Sequence, residues 1–152
     1  MKNGKLDVGI NAICLILLLG VIIYLAISWN NVPDQVPGHY NAAGEVDRWG
    51  SKAGLTVMTA IAWIMYFGMT AVELFPKIWN TGVAVTEENK ERVYRILKSM
   101  LGASKLSVVA TFAYLTINSA LSRELPVWFL PAFLFIMIGP IILFIVKLFK
   151  AK

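Results

Sequence analysis

Charge is scarce in this sequence. Only 15% of its 152 residues are Asp, Glu, Lys or Arg, and 58% are hydrophobic. Soluble domains carry about 25% charged and about 45–50% apolar residues. A chain this short cannot hide so much apolar surface in one water-surrounded core, because roughly 30% of its surface stays exposed. Disorder, a collagen-like rod and a nucleic-acid-binding domain are thereby excluded for the chain as a whole. There is one cysteine, Cys14. It excludes an intrachain disulfide and a CxxC metal or redox site, and leaves Cys14 as a small apolar residue. There is one histidine, His39. No HExxH pair, Cys/His cluster, nucleophile-type serine motif or glycine-rich phosphate loop is present, so no enzyme class is indicated.

What is present is four long uncharged stretches. A bilayer core of about 30 Å needs roughly 20 apolar residues at about 1.5 Å per residue. The spacing predicts spans over about 8–28, 53–75, 101–122 and 126–148. The third has 17 residues between Lys105 and Arg123, whose long stems reach toward the headgroups. The first exceeds a signal-peptide apolar region and lacks a small-residue cleavage site, so it reads as an uncleaved helix. The expected fold is an all-α integral membrane protein with four transmembrane helices and a structured extracytoplasmic loop, 29–52, between the first two. A cytoplasmic loop, 76–100, contains an amphipathic helix before or continuous with the third.

Direction follows from Lys and Arg. Eleven, from Lys2, Lys5, Lys77, Lys90, Arg92, Arg95, Lys98, Lys105, Lys147, Lys150 and Lys152, fall on one side; three, Arg48, Lys52 and Arg123, fall on the other. The positive-inside rule places both termini in the cytoplasm. In the cytoplasmic loop, Thr86 reads as a helix N-cap followed by Glu87 and Glu88. Val93, Ile96, Leu97, Met100 and Leu101 form one apolar stripe, with Lys90, Arg92, Arg95 and Lys98 mostly off it. This basic face is either solvated or a docking surface for anionic lipid or a cytoplasmic partner.

Polar groups in the spans are expected to face other helices. Ser107, Thr111, Asn118 and Ser119 share one face of the third span, and Asn11 lies near the cytoplasmic end of the first. Gly20 and Gly68 are expected to permit close helix approach. Gly139-Pro140 is expected to bend the fourth span. Glu73 is expected to pair with Lys77, four residues on, at the interface. With no second ionisable group inside the membrane, a proton-driven pump is disfavoured.

The loop 29–52 differs from everything around it. It is polar, holds Pro33 and Pro37, and contains His39. The prolines bias Val32 and Val36 toward extended backbone. Asn41-Ala42-Ala43-Gly44 is a turn, with Gly44 suited to positive φ. His39-Tyr40 and Glu45-Val46 can pair across it as a short hairpin. Trp29, Val32, Val36, Tyr40, Val46 and Trp49 are placed to pack the loop onto the bundle. His39, Glu45, Asp47, Arg48 and Lys52 are then crowded together. Three readings stay open: a structural network of hydrogen bonds and ion pairs, a recognition surface for an extracellular ligand, and a metal or catalytic centre.

The string Val32-Pro33-Asp34-Gln35-Val36-Pro37, then His39-Tyr40-Asn41, Gly44-Glu45-Val46-Asp47 and Gly50-Ser51-Lys52, resembles the signature of the domain-of-unknown-function 1648 family. The same domain opens SdpI-type immunity proteins, which carry further spans after it. The resemblance covers about twenty residues and the span that follows, about a third of the chain. It implies a protein of the cytoplasmic membrane of a bacterium or archaeon, and protection against, or sensing of, a secreted antimicrobial peptide. Its motif residues here are Pro33, Pro37, His39, Asn41, Gly44, Asp47 and Lys52, to which Glu45 is added as a ligand-binding candidate. The expected partners are the lipid bilayer, an extracellular peptide, and a membrane or cytoplasmic protein, with no nucleic acid. An accessory subunit of a larger transporter or signalling complex is the alternative, and a metal-dependent membrane enzyme using His39 and Asp47 a further one. No cofactor is assigned, and a metal in the loop stays undecided.

Overall fold

The computed structural model describes residues 4–151. Helix α1 spans Lys5–Ser28 and α2 spans Ala53–Leu74; a hairpin of β1 (Gln35–Tyr40) and β2 (Val46–Ser51) lies between them. Helix α3 spans Lys90–Ala120 and α4 spans Phe129–Phe149. Among the described residues, four helices are long and apolar enough to cross a membrane. Their outward faces are apolar: Ile16, Ile27, Ile64 and Phe135 are each more than two-thirds exposed. These helices make the chain a multipass membrane protein. Lys2 and Lys152, counted in the charge comparison, lie outside the described residues.

Helix α3 is the hub. It packs on α1, α2, α4 and β1, whereas α1 and α2 touch each other little. Its position explains its composition. A helix enclosed by others can carry polar side chains because their partners are protein atoms. Ser107, Thr116, Asn118 and Ser119 are all buried in it. Helix α4 is the opposite case, with Leu148 its one buried residue. Three apolar clusters stack along the bundle. Val21, Leu25 and Leu55 join Val32 and Val36 beneath the hairpin; Cys14, Leu18 and Val109 fill the middle; Val93 and Leu97 meet Leu148 at the far end.

Several expectations are corrected. The amphipathic stretch is continuous with the third span, one of the two arrangements expected: α3 is one helix of 31 residues. It begins at Lys90, so Glu87 and Glu88 precede it. Thr86 is not the N-cap, which is Asn89; the two residues are joined by reciprocal bonds in the preceding turn, Asn89 N to Thr86 Oγ1 (3.3 Å) and Thr86 N to Asn89 Oδ1 (2.9 Å). Lys98 is not on a solvated face; it is buried and pairs with Asp7 at 2.8 Å. Gly20 and Gly68 face open space, and Gly102 marks the close approach instead, where a Cβ would stand 3.1 Å from Ile10 Cδ1.

Helix α4 runs through Gly139-Pro140 without a break. Proline has no N–H, so the carbonyl four residues earlier, on Ile136, loses its intrahelical donor. The Ser107 hydroxyl of α3 lies 3.3 Å from that oxygen and 3.0 Å from Ala103 O, sharing its proton between them. Ser107 thus supplies a hydrogen bond that Pro140 removed, and ties α4 to α3. Ser107→Ala is expected to destabilise the protein by about 1 kcal/mol. In a Pro140→Ala background, where the helix recovers its own amide donor, the same change is expected to cost less. A double-mutant cycle on thermal unfolding measures the difference.

Candidate functional site

The hairpin is longer than the two-residue pairing expected from sequence. It adds the two strands to an otherwise helical fold. Val32 has the extended backbone (φ −75°, ψ 127°) that a following proline favours. The strands pair antiparallel from Gln35 opposite Ser51 to Tyr40 opposite Val46, with the register disturbed around Gly38. Gly38 fits this irregularity, since a Cβ there would stand 3.3 Å from Gly50 N. Val36 and Pro37 face inward and are buried, whereas Trp49 is 51% exposed and does not help pack the loop.

Asn41 organises the turn. Its Oδ1 accepts from Ala43 N (2.9 Å) and Glu45 N (3.0 Å), and its Nδ2 donates to Glu45 Oε2 (2.8 Å). Its backbone closes the ring, accepting from Gly44 N and donating to Glu45 O. Gly44 has φ +90°. A Cβ on it would lie 2.3 Å from Leu125 O, because Leu125 N donates to Gly44 O at 2.8 Å. The turn is therefore pressed against the α3–α4 connection as well as twisted.

That connection is itself a built structure. At the end of α3, Arg123 N donates to Asn118 O and Ser122 N to Ser119 O, the paired bonds of a Schellman motif. Ser122 takes the left-handed position, φ 52°, that glycine usually fills. The hairpin docks here through three side chains. Ser119 Oγ donates to Pro37 O (2.6 Å), Tyr40 OH donates to Arg123 O (3.1 Å), and Asn118 Nδ2 donates to both Tyr40 OH and Arg123 O. Burial pushes the Tyr40 phenol above its ordinary pKa.

The remaining candidates separate into two pairs. His39 Nδ1 lies 2.6 Å from Asp47 Oδ1, with both side chains about half exposed. A carboxylate only accepts, so Nδ1 carries the proton and Nε2 is left for another partner. Lys52 Nζ lies 2.9 Å from Asp34 Oδ1 and 5.6 Å from the Trp29 ring centre, and its N–H donates to Asp34 O. The adjacent ammonium of Lys52 holds the Asp34 carboxyl below its ordinary pKa. Glu45 is turned to Asn41, Arg48 stands opposite His39 in the sheet, and Pro33 precedes the first strand. Among the described residues no three His, Cys, Asp or Glu side chains are grouped to hold a metal. Asp34 is the pair member that sequence reasoning missed. Its signal is positional, since residues 34 and 52 flank the two strands and meet once the strands pair.

A groove of about 310 Å³ opens between the hairpin and helices α3 and α4. Pro37, His39, Tyr40, Asn41 and Gly44 form one wall; Thr111, Leu115, Phe129, Leu130 and Phe133 form the other. Four of the eight candidate residues line it, Pro37, His39, Asn41 and Gly44, and four stand away from it: Asp47 reaches it only through His39, Glu45 through Asn41, and Pro33 and Lys52 belong to the hairpin base.

A second polar centre lies at the opposite end of the bundle. Glu73 does not pair with Lys77. Its Oε2 lies 2.8 Å from Nζ of Lys105, which is fully buried and also bonds Asn11 and Thr70. Lys105 is thus no snorkelling flank. Nothing local in the sequence joins residues 73 and 105; only the packing of α2 on α3 does.

Two substitutions test the docked turn, with opposite signs. Gly44→Val is expected to destabilise by about 1 kcal/mol or more, through strain at positive φ and the Leu125 carbonyl. Ser122→Gly is expected to stabilise by up to about 1 kcal/mol. Thermal unfolding of the purified full chain reads both.

Comparison with known proteins reaches the same segment. A protein of Archaeoglobus fulgidus described as uncharacterized is 28% identical, over 96% of this chain and 87% of that one. No solved structure matches. The family model described as Domain of unknown function (DUF1648) matches residues 15–68, from within α1 through the hairpin into α2. The chain therefore carries, in its first half, the DUF1648 domain, and the hairpin is that domain's polar part.

Proposed function

We propose that this is a plasma-membrane protein of a bacterium or archaeon, with both termini in the cytoplasm and the hairpin outside. There it binds a secreted amphiphilic peptide, and so protects against it or senses it. The observation that carries the reading is the groove: a polar wall from the hairpin faces an apolar wall from α3 and α4. A ligand with one polar and one apolar side suits such a cleft, since its apolar face leaves water while its polar groups keep partners. His39 Nε2, with Nδ1 occupied by Asp47, is placed to meet a ligand polar group. The eleven-to-three distribution of Lys and Arg supports the orientation.

A second reading, an accessory subunit of a larger membrane complex, is favoured by α4. Only Leu148 of that helix is buried, leaving most of its apolar surface for lipid or for another protein.

The test compares cells lacking the gene with cells carrying the wild type, Leu130→Trp, which fills the groove, or Leu143→Trp, which faces outward. Survival is scored across a panel of amphiphilic antimicrobial peptides. The wild type and Leu143→Trp are expected to protect against at least one peptide, and Leu130→Trp to fail. Equal survival of all strains, with each protein confirmed in the membrane, overturns the reading. Labelling of intact cells with membrane-impermeant reagents is expected to reach a cysteine at position 45 and not one at position 90.

A further inference from the structure

A buried ammonium is costly unless each of its N–H groups meets an oxygen. Lys105 meets that condition with no water. Its Nζ lies 2.9 Å from Asn11 Oδ1, 3.3 Å from Thr70 Oγ1 and 2.8 Å from Glu73 Oε2, and its side chain has no exposed surface. Those three bonds use all the donors a lysine has. The Tyr66 ring stands 5.5 Å from Nζ, on the distance scale of a cation–π contact. Every one of these partners belongs to α1 or α2, and none to α3.

The acceptor half is held in place without the lysine. Asn11 Nδ2 donates to Asp7 O at 2.9 Å, and Tyr66 OH donates to Asn11 Oδ1 at 3.2 Å, so the amide oxygen is already aimed. Gly102, three residues before Lys105, lets α1 and α2 close around α3: a Cβ there would meet Ile10 Cδ1 at 3.1 Å and Glu73 Oε1 at 3.9 Å.

We infer that Asn11, Thr70, Glu73 and Tyr66 form a preorganised binding site for a primary ammonium group, which Lys105 fills as a tethered internal ligand, and that this occupancy sets the register of α3 in the bundle. The second buried pair, Lys98 with Asp7 at 2.8 Å, stands seven residues earlier on the same face of α3. Two such points determine both the height and the rotation of a helix. A slip of one turn, about 5.4 Å, would pull both ammonium groups from their carboxylates.

Chemical rescue tests this in the full chain in detergent micelles. Lys105→Ala removes three methylenes and the ammonium, the atoms of propylammonium. The variant is expected to lose roughly 10 °C of thermal midpoint, and propylammonium to restore at least half of it. Methylammonium and hexylammonium should restore less, and 1-propanol nothing. Adding Glu73→Gln to the variant should abolish the rescue. Equal effects of propylammonium and 1-propanol, or rescue that survives Glu73→Gln, overturn the inference. If Lys105→Ala yields no folded protein, the exchange of Lys105→Glu with Glu73→Lys decides. Folded protein from the double exchange and none from either single change supports the site. A double exchange no better than the singles overturns it.

Discussion

Within a bilayer no water is at hand to satisfy a polar atom, and the arrangement of this protein follows from how α3 meets that constraint. Its lysines meet Asp7 and Glu73, Ser107 meets a carbonyl of α4, and Asn118 and Ser119 meet the hairpin and its docking site. Each bond reaches a different element, so satisfying the polar atoms of one helix fixes the positions of the others. Among the described residues, only Trp63 Nε1 and Ser122 Oγ are buried without a hydrogen-bond partner. Apolar contacts alone would not specify this assembly, because lipid tails compete for them on nearly equal terms.

The two ends of the bundle use different chemistry for this purpose. At the end near Asp7 and Glu73, full charges are paired, and truncating one partner strands the other in a medium that cannot solvate it. At the hairpin end, the bonds that dock the hairpin onto α3 and the connection after it are neutral and run mostly to backbone carbonyls: Pro37 O, Arg123 O and Gly44 O. Neutral bonds to backbone position an element at smaller cost when one is broken. The hairpin end is also where the groove lies, between a docked turn and the weakly buried α4.

What could be read from the sequence follows from the range of each signal. The four long apolar helices were legible because hydropathy is a property of contiguous residues. The positive φ of Gly44 and the turn at Asn41 were legible because turn chemistry is also local. Which of its two expected arrangements the amphipathic stretch takes was not, since a charged helical stretch and an apolar one join without a break when both keep α-helical backbone. The error over Glu73 has the same source. Lys77 is its neighbour by helical spacing, but Pro76 ends that spacing after Leu74, and a partner 32 residues away in the chain prevails.

The misplacement of Gly20 and Gly68 carries a further lesson about α3. Glycine permits close approach only where a neighbouring helix lies, and those two face open space while Gly102 faces Ile10. Helix α1 is therefore drawn to α3 at its first third, beside Lys98 and Lys105, and not at the level of Gly20. The small residue stands between the two lysines in sequence, where the carboxylates must come nearest. Charge pairing and backbone approach thus coincide on one face of one helix: the close approach at Gly102 lies beside the two lysines whose carboxylates come from α1 and α2.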